Sequence, residues 1–127
     1  MLQIYFDAAR RPDTGQSAAG CLIINQGQQR QEKTTLPKTN SNHDAEFLAA
    51  IWALQLVSAE GNLQLYSDSK IVVEALQKQY AKHFQAYVDR IQPLLDAYSL
   101  AFINWVPEKN NLGAHNLAQQ ALKKADA

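Results

Sequence analysis

Leu63–Leu76, LQLYSDSKIVVEAL, changes its hydrophobic period midway, and the rest of the chain is organised around that change. Leu63 and Leu65 alternate with polar residues, the two-residue period of a half-buried strand. Ile71, Val72, Ala75 and Leu76 then fall on one helical stripe, so strand gives way to helix at Ser67-Asp68-Ser69. Such a unit packs its helix back on the sheet and returns a parallel strand. A carboxylate at the junction stands at the rim of the sheet. Taken alone, Asp68 reads as a helix N-cap; two more acids at comparable junctions upstream alter that reading.

Upstream, Leu2, Ile4 and Phe6 alternate with Gln3, Tyr5 and Asp7 as a first strand over 2–8. The polar loop RRPDTGQ follows, then a second strand over Ser17–Asn25, a tight turn at Gln26-Gly27, and a more polar third strand over Gln28–Leu36. After Pro37 the period becomes helical: Ala45, Leu48, Ala49, Trp52 and Leu56 form a stripe that Gly61-Asn62 ends. Downstream of the central unit come a helix over His83–Ser99 interrupted near Pro93, a fifth strand over Leu100–Val106, the loop PEKNNL, and a closing helix with Lys123 and Lys124 in its last turn. The expected architecture is α/β. It is a mixed five-stranded sheet, strands 1–3 antiparallel and strands 4 and 5 parallel to strand 1, with helices packed on it, in a single domain over 1–127.

Composition excludes several classes. Twelve basic and twelve acidic side chains cancel, so a polyanion must be met by a local patch rather than a global field. The single cysteine, Cys21, lies in an apolar run and leaves no disulfide framework within the chain, which suits a reducing compartment. The N-terminus lacks a secretory leader pattern, and no apolar run nears the ~20 residues of a membrane span, so the expected location is cytoplasmic, with no membrane partner.

Asp7 on the first strand, Glu46 at the start of the first helix and Asp68 at the end of the fourth strand can meet if strands 1 and 4 are neighbours. Carboxylates so gathered repel one another and call for hard cations with oxygen ligands, Mg²⁺ or Mn²⁺. Two such ions would activate a water and stabilise the leaving oxygen of a phosphodiester. Each acid also has a plain structural role: a strand-end polar group, a charge at a helix start, a cap.

Four blocks resemble a ribonuclease H type 1 domain: Ile4–Ala9 (IYFDAA), Ser41–Ala50 (SNHDAEFLAA), Tyr66–Val72 (YSDSKIV), and Trp105-Val106-Pro107 through Ala114–Ala118 (AHNLA). They stand in the family's order and span nearly the whole chain. The resemblance implies a ribonuclease H-like fold with helices on both faces of the sheet. It also implies an endoribonuclease that cuts the RNA strand of RNA–DNA hybrids with two divalent metals, without a small-molecule organic cofactor. Carried across, Asp7, Glu46 and Asp68 become catalytic metal ligands. Asn42 and His43 would read ribose 2′-hydroxyls, Ser41 a phosphate, and Lys70 the backbone; for Ser41 and Asn42, helix capping is the competing role.

The chain departs from the family in three ways. His115 stands where the family has a fourth carboxylate. An imidazole there removes a negative charge and favours Mn²⁺ over Mg²⁺, which implies weakened activity, unless His115 is only a surface residue. The loop before the closing helix lacks a histidine found in some members, and Gln77–Phe84 is a short, mildly basic stand-in for a DNA-gripping protrusion, so hybrid binding is expected to be weak and salt-dependent. Two rivals follow: a catalytically impaired hybrid-binding protein of the same fold, and a relative that cuts another duplex such as double-stranded RNA.

Overall fold

The computed structural model describes residues 1–125. Its strands are β1 (Leu2–Arg10), β2 (Ser17–Asn25), β3 (Gln28–Leu36), β4 (Asn62–Ser67) and β5 (Leu100–Trp105); its helices are α1 (Asn42–Gln55), α2 (Lys70–Lys78), α3 (Gln85–Asp96) and α4 (Leu112–Ala125). One sheet is formed, in the order β3-β2-β1-β4-β5. β1–β2 and β2–β3 pair antiparallel, whereas β1–β4 and β4–β5 pair parallel. This is the mixed sheet the alternating periods predict.

Strand alternation divides the side chains between two layers. Ile4, Phe6, Cys21, Leu63 and Leu65 turn to one face and are buried with Phe47, Ala50 and Leu54 of α1, Val72 and Leu76 of α2, and Val88 and Ile91 of α3. Each large side chain so buried contributes about 1.5–3 kcal/mol. On the other face α4 lies over β1, β2 and β3, with Ala118, Ala121 and Leu122 packed on Ala9 and Ala18. The small residues are essential there. A Cβ on Gly20 would lie 2.5 Å from both Ala114 O and Ala118 N, so the helix backbone rests directly on β2.

One local expectation holds and two are corrected. α1 begins at Asn42, capped by the candidate Ser41, whose Oγ accepts from Asp44 N at 3.1 Å. It ends at Gln55, short of Gly61, and Val57 and Ala59 then pack against the core from a turn. Pro93 does not interrupt α3, which runs continuously over Gln85–Asp96. The proline sits in the last turn, where it removes one hydrogen bond, and both it and Asp89, whose carbonyl is freed, are exposed.

Candidate active site

The pairing Tyr5↔Tyr66 between parallel β1 and β4, continued by two residues, sets Asp7 across from Asp68 at the same end of the sheet. Asp7 is only 8% exposed. Burial, and next the charge of Asp68, push its carboxyl up to about 6, against hydrogen bonds from His115 and the Ala8 backbone. Asp68 is also raised, chiefly by burial, and its main opposing influence is the amide of Asn111. A pair of acids at neighbouring strand ends is thus held at a cost in electrostatic energy.

Asn111 was not among the residues singled out from the sequence. It is 1% exposed and lies just before α4. Its Nδ2 donates to Phe6 O at 2.9 Å and reaches Asp68 Oδ2 at 3.4 Å, tying β1, β4 and the start of α4 together. The signal was its spacing: Asn111 is one helical turn before His115, so the two share a face.

His115 turns inward. Its Nδ1 lies 3.0 Å from Asp7 Oδ2, with the side chain 28% exposed, and 4.0 Å from Glu108 Oε1. With Asp7 ionised, Nδ1–H donates to the carboxylate and Nε2 is left for another partner. The position is set by the sheet, because Gly20 is the β2 residue paired with Asp7 and carries α4 directly on its backbone.

Because α1 starts early, Asp44 rather than Glu46 is the first-turn acid. Asp44 is engaged structurally: Ser41 Oγ donates to its Oδ2 at 2.6 Å and Tyr87 Oη to its Oδ1 at 2.9 Å. Glu46, two residues on, is different. Its Oε2 is buried with no hydrogen-bond partner, and His43 Nδ1, also without one, lies 3.7 Å away. His43 also meets Phe84 edge-on, Asn42 is exposed, and the Ser41 hydroxyl serves the cap. Lys70 Nζ lies 5.0 Å from the Trp105 ring, and the Trp105 indole N–H donates to Asp68 O at 3.1 Å. Arg10, assigned to a loop from the sequence, ends β1; its Nη2 donates to Thr39 O and its Nε to Thr39 Oγ1, both at 2.9 Å, fixing the segment before α1. Among the described residues no three His, Cys, Asp or Glu side chains converge closely enough to form a metal-holding group.

Sheet order, strand-end acids and crossover helices define a ribonuclease H-like protein. A family model described as reverse transcriptase-like matches residues 5–121. The chain belongs to that ribonuclease H-like family. EbsB of Enterococcus faecalis, whose naming as a hydrolase is provisional, is 42% identical over 98% of this chain and 96% of its own. A ribonuclease H of Trichodesmium erythraeum is 32% identical over 67% of this chain, which spans only 54% of that enzyme's length. The crystal structure of RNase H1 from Halobacterium salinarum superposes with a TM-score of 0.88 at 26% identity, covering 97% of this chain and 98% of that one. LC11-RNase H1, solved in complex with an RNA/DNA hybrid, matches over the full length of both chains with a TM-score of 0.84 at 22% identity, a likeness of fold.

Proposed function

We propose that the chain hydrolyses the RNA strand of RNA–DNA hybrids at the end of β1 and β4, in the cytoplasm. The observation that carries this is the pairing of Asp7 with Asp68 across adjacent parallel strands, each with its proton affinity raised. Structural roles do not call for a buried acid and a half-buried one opposed in this way. The buried, unpartnered Glu46 Oε2 adds a third oxygen with nothing to satisfy it. Unpaired carboxylate oxygens are the donors hard divalent cations take, so the residues fit Mg²⁺ or Mn²⁺ in chemistry although their side chains are not gathered into a coordination group. Asp7, Glu46 and Asp68 would hold such cations, with Nε2 of His115 as an atypical fourth donor. When bound, they would supply an activated water and neutralise charge on the phosphodiester.

The chain's own residues position and discriminate. Asn111 and the Trp105 indole fix Asp68 from two sides. His115 holds Asp7 Oδ2 and keeps one carboxylate lone pair out of reach of a cation. Exposed Asn42 and its neighbour His43 would meet ribose 2′-hydroxyls. Ser41 would meet a phosphate only by turning its O–H away from Asp44 Oδ2, and Lys70 would contact backbone from above Trp105.

The test is cleavage of a labelled hybrid in Mg²⁺ and separately in Mn²⁺, with Asp68→Asn alongside. RNA-strand cutting by the parent and not by the variant supports the reading, and His115→Asp should raise the rate in Mg²⁺. No cutting by folded protein in either metal sinks it. The hybrid-binding alternative has its own observation, the His115–Asp7 hydrogen bond that occupies a would-be ligand. It predicts binding without turnover.

A further inference from the structure

The two edges of the sheet differ in character. β3 carries Arg30, Glu32 and Lys33, charges that guard an edge against pairing with another chain. β5, LAFINW, has no charge, proline or glycine. Of the seven exposed large hydrophobics among the described residues, three lie on this six-residue strand: Leu100 at 56%, Phe102 at 42% and Trp105 at 45%.

The free edge of β5 has a definite polarity. Val106 N–H donates inward to Ser67 O at 2.9 Å, whereas Ile103 O turns outward and accepts from the exposed Gln77 side chain at 2.8 Å. Odd-numbered residues therefore present their backbone N–H and C=O to the edge. Alongside runs a groove of about 680 Å³ whose walls include Leu76, Leu95 and Tyr98. Tyr98 is 7% exposed, and its buried hydroxyl has no hydrogen-bond partner. Nor has the buried Oε1 of Gln92 in the same wall.

We propose that β5 pairs antiparallel with β5 of a second copy of this chain about a two-fold axis through Phe102, joining two sheets into one of ten strands. A two-fold perpendicular to the sheet preserves its faces, so only residues of like parity can oppose each other. With Phe102 on the axis, Ala101 meets Ile103 of the second copy as a hydrogen-bonded pair, which uses the outward-facing backbone groups. Phe102 meets its own counterpart at a non-hydrogen-bonded position, and Leu100 meets Asn104. No charge opposes a like charge, which the β3 edge could not offer. The same register carries Trp105 to Ser99 of the other copy on the groove side. A half-exposed indole thereby brings its apolar ring towards the groove beside Tyr98, while its N–H stays on Asp68 O. Gln77 must release Ile103 O, an exposed hydrogen bond of small net worth.

The test uses sedimentation velocity on the whole chain and a cross-link. A concentration-dependent dimer is expected, and Phe102→Glu, which sets two like charges directly opposite on residues whose Cα atoms are about 4.5 Å apart, should weaken association at least tenfold. Phe102→Cys should form a disulfide dimer under mild oxidation, since Cα atoms at such a pair stand at a bridgeable distance. Gln31→Cys on the charged β3 edge should not, and buried Cys21 does not compete. A chain that stays monomeric at high concentration, or cross-links equally from both edges, overturns the proposal; a monomer would leave the groove to an extended segment of another protein.

Discussion

Gly20→Ala tests the link between the sheet and the site most directly. The new Cβ would lie 2.5 Å from Ala114 O, 2.5 Å from Ala118 N and 2.6 Å from Leu117 Cβ, where ordinary contact begins at 3.4 Å. Two of these atoms are helix backbone, which cannot rotate away. α4 must therefore lift by roughly an ångström, and a gap of that size forfeits a quarter to a half of each dispersion contact beneath it. Those contacts join Ala118, Ala121 and Leu122 to Ala9 and Ala18. Overpacking of this kind costs about 2–3 kcal/mol, and at this chain length each kcal/mol lowers Tm by about 3–5 °C. The same lift carries His115 Nδ1 from 3.0 Å beyond hydrogen-bond reach of Asp7 Oδ2. Thermal and urea unfolding measure the first effect, and the imidazole proton chemical shift of His115 measures the second. Gly113→Ala is the control, because the nearest atom to its Cβ is the Leu22 Cδ1 at 2.5 Å, a side-chain terminus able to move. A Gly20→Ala protein with Tm within 2 °C of the parent's, a margin of about half a kcal/mol, and an unchanged His115 signal would refute the close packing and its role in placing the histidine.

Asp7→Asn should stabilise the metal-free protein at pH 7 and not at pH 3.5. The folded carboxyl is raised to about 6 from an unfolded value of 3.8, so its contribution is full below the unfolded value and is lost as pH rises through 6. Removing the ionisable group should recover on the order of 2 kcal/mol above that window, seen as a flatter profile of urea midpoints against pH. Asn111→Ala removes the chief influence holding the Asp68 carboxyl down, so a carboxyl-carbon titration should move upward, with a stability loss of about 1–3 kcal/mol from the stranded Phe6 carbonyl. Ser41→Ala should cost about 1 kcal/mol through loss of the α1 cap, read by the same unfolding assay.

The sheet was legible because its strands announce a two-residue period and its helices a longer one. The adjacency of β1 and β4 stayed a condition at that stage, because periodicity gives strand direction and not strand order, and the structure meets it. Asn111 was not legible. Its role depends on a hydrogen bond to a carbonyl 105 residues earlier in the chain, which no local pattern records. Ser41, a candidate cap in the sequence, does start α1, and Glu46 was set in the first turn because hydrophobic spacing marks where a helix begins to be buried, not where it begins to be a helix. Pro93 was read by its usual effect, and its position in the last turn made that effect small. The inward turn of His115 follows from a glycine on a different strand.

That glycine makes position 115 a socket. A loop would let a substituted side chain drift to suit itself, but a helix lying on bare β2 backbone presents residue 115 to Asp7 whatever residue it is. Chemistry at this corner can therefore be exchanged one residue at a time, carboxylate for imidazole and back, while the scaffold stays still.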